Sequence, residues 1–145
     1  MLRSLVGSEM CIRDSHMTRR QARIQALQLL YSREINPEAE KSVLPDQESS
    51  GHDEYAQKII TAVDQNQTAI DVLINRYSKN WNTAQMNKVD LVLLRMAIAE
   101  SKYIEDEELT PAIIINEALD LTRQYSTDEA VRFVNGVLDA AMKDS

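Results

Sequence analysis

The sequence predicts an all-helical domain, and three observations predict it. Apolar residues recur at three- and four-residue spacing in one segment after another. Glycine and proline number only three each in 145 residues. Nowhere do β-branched residues alternate with polar ones, as a half-buried strand requires.

Patterning begins at Met17. Residues 1–16, MLRSLVGSEMCIRDSH, have neither a helical nor a strand period and end in a histidine before a second start methionine, Met17, as a cloning scar does. A targeting peptide needs a continuous apolar core after a basic start, and Ser4, Gly7, Ser8 and Glu9 interrupt it here. Residues 1–16 are therefore read as a non-native leader and residues 17–145 as a single helical domain. The leader carries two basic residues (Arg3, Arg13) and two acidic ones (Glu9, Asp14), so the formal charge of −7 does not depend on it. It also holds the only cysteine, Cys11. A patterned region without cysteine has no disulfide or thiolate chemistry and suits a reducing cytoplasm. No apolar run approaches the roughly 20 residues of a membrane span.

The first helix starts at Thr18, with Gln21 completing a capping box. Ala22, Ala26, Leu27 and Leu30 form its buried stripe, flanked by Ile24 and Tyr31. From Asn36 to Gly51 the chain turns polar, with Pro37, Pro45 and Ser49-Ser50-Gly51, and reads as a loop with room for one short helix near Glu38–Val43. Asp53 caps a long helix with apolar positions Ala56, Ile59, Ile60, Val63, Ile70, Leu73, Ile74 and Tyr77. The polar run Asp64–Thr68 keeps the phase, so one helix is expected. Thr83 is expected to cap a helix that is apolar almost all round, from Met86 to Ala99, and hence central. Glu105–Glu108 reads as a solvated loop. Thr110-Pro111 is a helix start with proline at the first position, and Ile114, Ala118, Leu121 and Tyr125 are its stripe. Ser126 or Thr127 caps the last helix, whose core face is Phe133, Val134, Val137, Leu138 and Ala141. Gly136 is expected to permit a close helix crossing, and Asn116 and Asn135 to satisfy helix-end backbone groups.

The chemistry concentrates in Arg19, Arg20 and Arg23, whose spacing brings them together on the first helical turn. Like charges repel there, and cations at a helix N-terminus oppose the macrodipole. A phosphate would reverse both penalties. The other reading is an ordinary solvated basic end. An acidic chain that binds RNA needs a local patch of this kind, or a basic partner to supply the rest of the field. Tyr77 and Phe133 lie near helix ends, where either ring could stack on a base or pack in the core. His52 sits in the Ser/Gly loop without a nucleophile motif. No metal-ligand spacing, glycine-rich phosphate loop or dinucleotide fingerprint occurs, and the carboxylates read as caps, loops or solvated faces. No catalytic residue, metal or cofactor is expected, and the chain does not read as an enzyme.

Thr18-Arg19-Arg20-Gln21-Ala22-Arg23 followed by Ala26-Leu27-Gln28-Leu29-Leu30-Tyr31 resembles the opening of the NusB transcription antitermination factors. So do Val89-Asp90 with Leu94-Arg95-Met96-Ala97, Ile115-Asn116-Glu117-Ala118, and Arg132-Phe133-Val134-Asn135-Gly136-Val137-Leu138-Asp139. The match runs in order from Met17 to about Ala141. Ala99, where relatives commonly carry an aromatic, and the acidic loop before Tyr55 depart from the pattern.

The resemblance implies an all-α fold of two small helical bundles packed side by side, with about six to seven helices. It implies binding of boxA RNA together with NusE, a basic small-subunit ribosomal protein, within a transcribing RNA polymerase complex that carries other Nus factors. It assigns Arg19, Arg20, Arg23, Tyr77 and Phe133 to RNA, Tyr31 and Asp90 to the NusE interface, and Glu129 to the junction of the two surfaces. Two alternatives stay open. One is a stand-alone relative of the RNA-binding domain of rRNA cytosine methyltransferases, although no glycine-rich cofactor loop is present. The other is a helical protein adaptor, or a homodimer that masks its own first helix.

Overall fold

The computed structural model describes residues 18–36, 51–79 and 83–144, with side chains from Glu54 in the second segment. The 1–16 leader and the short helix expected near Glu38–Val43 lie outside the described residues. Among those residues every regular element is an α-helix: α1 (Arg19–Ile35), α2 (Gly51–Tyr77), α3 (Lys88–Tyr103), α4 (Pro111–Tyr125) and α5 (Asp128–Lys143). Five described helices fall slightly short of the expected six to seven.

Local chemistry accounts for most of the boundaries. Thr18 and Gln21 make the full capping box, Thr18 Oγ1 accepting from the Gln21 backbone N–H and Gln21 answering the Thr18 N–H. Thr110 caps α4 ahead of Pro111, and Thr127 caps α5 by accepting from the Ala130 N–H. α3 departs from expectation. Asn87, and not Thr83, is its cap, accepting from the Val89 N–H, while residues 83–86 form a turn in which the Thr83 N–H donates to Asn75 Oδ1. α2 also departs, because Asn66 leaves helical geometry (φ −124°, ψ 19°) and kinks the element. Its side-chain amide donates to the Ala62 carbonyl at 2.9 Å, the kind of local bond that competes with the helical ladder. Ile59, Ile60 and Val63 before the kink and Ile70 and Ile74 after it are all buried, so the apolar phase survives the break.

α3 is the axis of the fold. Every residue from Asp90 to Glu100 is buried, and the helix packs against each of the other four. With α1 and α2 it forms one bundle and with α4 and α5 the other, so the two bundles lie side by side and share it. Leu91, Leu93, Leu94 and Ile98 from α3 meet Ile59, Ile70 and Ile74 from α2, Ile114 and Leu121 from α4 and Leu138 from α5 in one continuous core. Each such side chain contributes about 1.5–3 kcal/mol by leaving water.

A helix buried on all sides can hold charge only if the charge is paired, and α3 holds three. Asp90 accepts from Ser126 Oγ at 2.7 Å. Arg95 donates to both Asp71 oxygens and to Glu34 Oε1, all at 2.9 Å. Glu100 accepts from Arg23 and from the Tyr55 hydroxyl. These bonds tie α1, α2 and the start of α5 to the central helix in one register.

Candidate nucleic-acid interface

The capping box starts α1 so that Arg19, Arg20 and Arg23 emerge within its first turn and a half, yet the three guanidiniums diverge. Arg19 Nη2 reaches Asp106 Oδ2 in the α3–α4 loop at 2.7 Å, with its guanidinium 4.7 Å from the centre of the Tyr55 ring. Arg20 turns to α4, where Nε and Nη2 engage Glu117 at 2.9 and 3.1 Å and Nη2 also donates to Asp120 Oδ2 at 2.7 Å. Arg23 points inward. Its Nε and Nη2 grip the Glu100 carboxylate at 2.8 and 2.7 Å, and Nη1 stands 3.5 Å from Glu117. Arg23 is only 4% exposed. The convergence of all three on one anion, expected from their spacing, is therefore corrected: burial withdraws Arg23 from the surface and gives it to Glu100.

The electrostatics follow from these pairs. Arg19, Arg20 and Arg23 pair with Glu100, Asp106, Glu117 and Asp120, and Asp120 also accepts from Arg123 Nη1 at 2.9 Å, so four arginines meet four carboxylates and the cluster carries no net charge. Bonds from Glu117 and Asp120 hold the Arg20 guanidinium well above its ordinary value. The Glu108 backbone N–H, and after it Arg19, keeps Asp106 below the usual carboxylate range. Burial and then Glu100 push the Tyr55 hydroxyl up. The cationic penalty at the start of α1 is thus relieved from within, by carboxylates of α3, α4 and the loop between them.

Phe133, Asp90 and Glu129 come together. They line a cleft of about 360 Å³ between the starts of α3 and α5, with Met86, Asn87 and Ser126 among its other walls. Phe133 is half-buried and Glu129 exposed. Asp90 is 8% exposed, which sets it into the wall of this cleft. Burial pushes its carboxyl up, and the Ser126 hydroxyl partly offsets that. Tyr77 does not line the cleft. Its hydroxyl donates to Asp144 Oδ2 at 2.6 Å, an oxygen shared with Arg76 Nη1, while Lys102 Nζ donates to the Asp144 carbonyl. Tyr31 is half-buried on the flank of α1, one turn before Glu34, which is paired to Arg95.

Several expectations change here. Tyr125 ends the α4 stripe 39% exposed and outside the core. Gly136 has nothing within 4 Å of an added Cβ, so no helix crosses closely there, and Asn116 and Asn135 are exposed on their helices. The carboxylates that read as caps, loops or solvated faces include the partners of every arginine discussed above. Glu117 and Asp120, three apart on α4, offered a signal of one acidic face, but nothing local tied them to residues about a hundred positions earlier. Among the described residues no group of His, Cys, Asp or Glu could hold a metal ion, and no helix is long and apolar enough to cross a membrane.

Fold and site together define a small all-α recognition domain, with ion-paired arginines at one helix start and an aromatic-walled cleft at two others. The NusB family model matches residues 20–143, and the chain belongs to that family. It is 37% identical over 134 residues to the transcription antitermination protein NusB of Chloroherpeton thalassium, an alignment covering 88% of this chain and 63% of that longer protein. To the NusB of Oleidesulfovibrio alaskensis it is 32% identical over 145 residues, covering 92% and 93% of the two chains. Among solved structures, T. maritima NusB superposes with a TM-score of 0.77 at 27% identity, over 88% of this chain and 92% of that one. A complex of the antitermination factors NusB and NusE with dsRNA contains a chain that superposes at 0.70 and 26% identity, over 89% of this chain and all of that one.

Proposed function

We propose that this protein is a transcription antitermination factor that binds boxA RNA together with NusE and promotes read-through, notably in ribosomal RNA operons. The observation that carries the reading is the match over nearly the whole domain to a chain solved in a complex of NusB and NusE with RNA. It acts in the cytoplasm by binding alone, and no catalytic step is assigned to it.

Arg19 and Arg20, each with about two-fifths of its side chain exposed, are the proposed phosphate contacts. Arg23 serves from behind, fixing the turn through Glu100. Phe133 offers a half-buried ring for a base, with Tyr77 as a second aromatic held by Asp144. Tyr31, Asp90 and Glu129 belong to the NusE side, with Asp90 acting from the cleft wall. A chain of formal charge −7 whose arginine cluster is neutralised by its own carboxylates supplies little long-range attraction for RNA. A basic partner supplies it, which is why NusE and RNA are expected to bind together.

The test is a titration of single-stranded boxA RNA with and without NusE across a salt series. Binding that is weak alone and much tighter with NusE is expected. Phe133→Ala should weaken it by about 1–3 kcal/mol with the salt slope unchanged, as removal of a stacked base does, once thermal unfolding has shown the variant to be folded. NusE binding without any RNA contribution would favour a protein adaptor instead.

A further inference from the structure

We propose that Glu117, Asp120 and Asp106 are internal competitors for RNA phosphate, holding Arg20 and Arg19 in closed pairs that an RNA must open in order to bind. The inference rests on the RNA-binding reading above and identifies residues that limit affinity at that site.

Three features carry it. Arg20 presents Nε and Nη2 as a fork, the arrangement that grips a phosphate through two parallel bonds, and both positions already donate to carboxylates. The pairs also lie at the solvent boundary, with Asp120 45% and Glu117 25% exposed. Ion pairs in such surroundings add little to stability and exchange partners readily. Arg23–Glu100, at 5% and 2%, cannot exchange in this way. It remains shut as the anchor beside which Arg20 opens. Finally, the carboxylates stand on the guanidinium nitrogens themselves, so a phosphate approaching the closed pairs meets like charge at the positions it needs. Swinging Glu117 and Asp120 away from Arg20 leaves the positive charge of its guanidinium facing the phosphate. The clamp thus lowers affinity for every RNA, so RNA offering only backbone charge stays unbound while RNA that also stacks bases can hold the pairs open.

The opposite role, carboxylates that hold the arginines ready for RNA, gives the opposite sign on neutralisation. Labelled boxA RNA and a scrambled RNA of equal length are titrated against the parent, Glu117→Gln and Asp120→Asn, each alone and combined with Arg20→Ala. Each carboxylate variant should bind both RNAs about two- to fivefold more tightly, the range that an exposed ion pair permits. The Glu117→Gln gain should vanish in the Arg20→Ala background, where only the buried Arg23 remains beside it, whereas the Asp120→Asn gain should shrink to what Arg123 supplies. Binding equal to or weaker than the parent, in variants that melt like it, overturns the proposal. So does a Glu117→Gln gain that persists in full without Arg20, since that would be a plain change of net charge. The more exposed Asp120→Asn carries the same prediction should Glu117→Gln fold poorly. A parent that binds RNA while its variants gain nothing sinks this inference alone; a parent that binds neither RNA, even with NusE, sinks the function with it.

Discussion

Arg20 and Arg23 sit three residues apart on one helix, and each grips a glutamate with two guanidinium nitrogens at closely similar distances. They differ in what surrounds them. The Arg23–Glu100 pair is enclosed between α1 and α3, where water screens nothing and the Tyr55 hydroxyl adds a further bond. The Arg20 pair lies on the α1–α4 seam and is wetted on one side. Bond lengths alone would give the two pairs one role. Burial separates them, because removing one partner strands a charge in the first case and exposes it to solvent in the second.

The sharpest way to break this comparison is to remove Glu100. Glu100→Ala leaves the buried Arg23 guanidinium with only the longer Glu117 contact, and the Tyr55 hydroxyl without its acceptor, and should cost about 3–5 kcal/mol in denaturant unfolding. A destabilisation below about 1 kcal/mol, the range of exposed pairs, would make the two arginines equivalent after all. Arg20→Ala is the counterpart. Its stability should stay within about 1 kcal/mol of the parent, while the salt slope of RNA binding falls by about 0.7, the share of a single phosphate on single-stranded RNA. An Arg20→Ala protein as unstable as the Glu100 variant would erase the distinction from the other side.

The smallest effect uses pH to contrast a buried carboxylate with one at the solvent boundary. Burial raises Asp90, so the folded state holds its proton more tightly than the unfolded chain does. Stability from this group is therefore greatest below the ordinary carboxylate range and falls as pH rises through the raised value. Asp106 has the opposite sign. Its depressed carboxyl stabilises the fold above the ordinary value, and that contribution disappears as pH falls through the depressed one. Asp90→Asn keeps an acceptor for Ser126 and should raise Tm at pH 7 by no more than about 4 °C, with the gain disappearing in acid. Asp106→Asn should lower Tm at pH 7 and match the parent in acid. A gain from Asp90→Asn that is the same at both pH values would show that packing, and not titration, is responsible.

Some features of this chain are decided by neighbours along it and by nothing else. Helix starts at Thr18 and Thr110 depend on a hydroxyl and an N–H three residues away, and the apolar stripes depend on period alone. The helical class, the central position of α3, the apolar buried residues of α1 and the family resemblance were all legible at that level. Where two caps competed, as at Ser126 and Thr127, the local signal ran out. Thr127 caps α5 because Ser126 is drawn away to Asp90, 36 positions earlier. Which arginines face water was settled only when the helices came together. Arg19, Arg20 and Arg23 are one residue type at the start of one helix, and their fates follow from Asp106, Glu117 and Glu100 in segments that no local spacing connects to them. The same holds for Gly136, left in open space, and for Asp90, set into a cleft wall. Pairing and burial are properties of surfaces brought together by the core, and a side chain's charge acquires its role only when the opposing surface arrives.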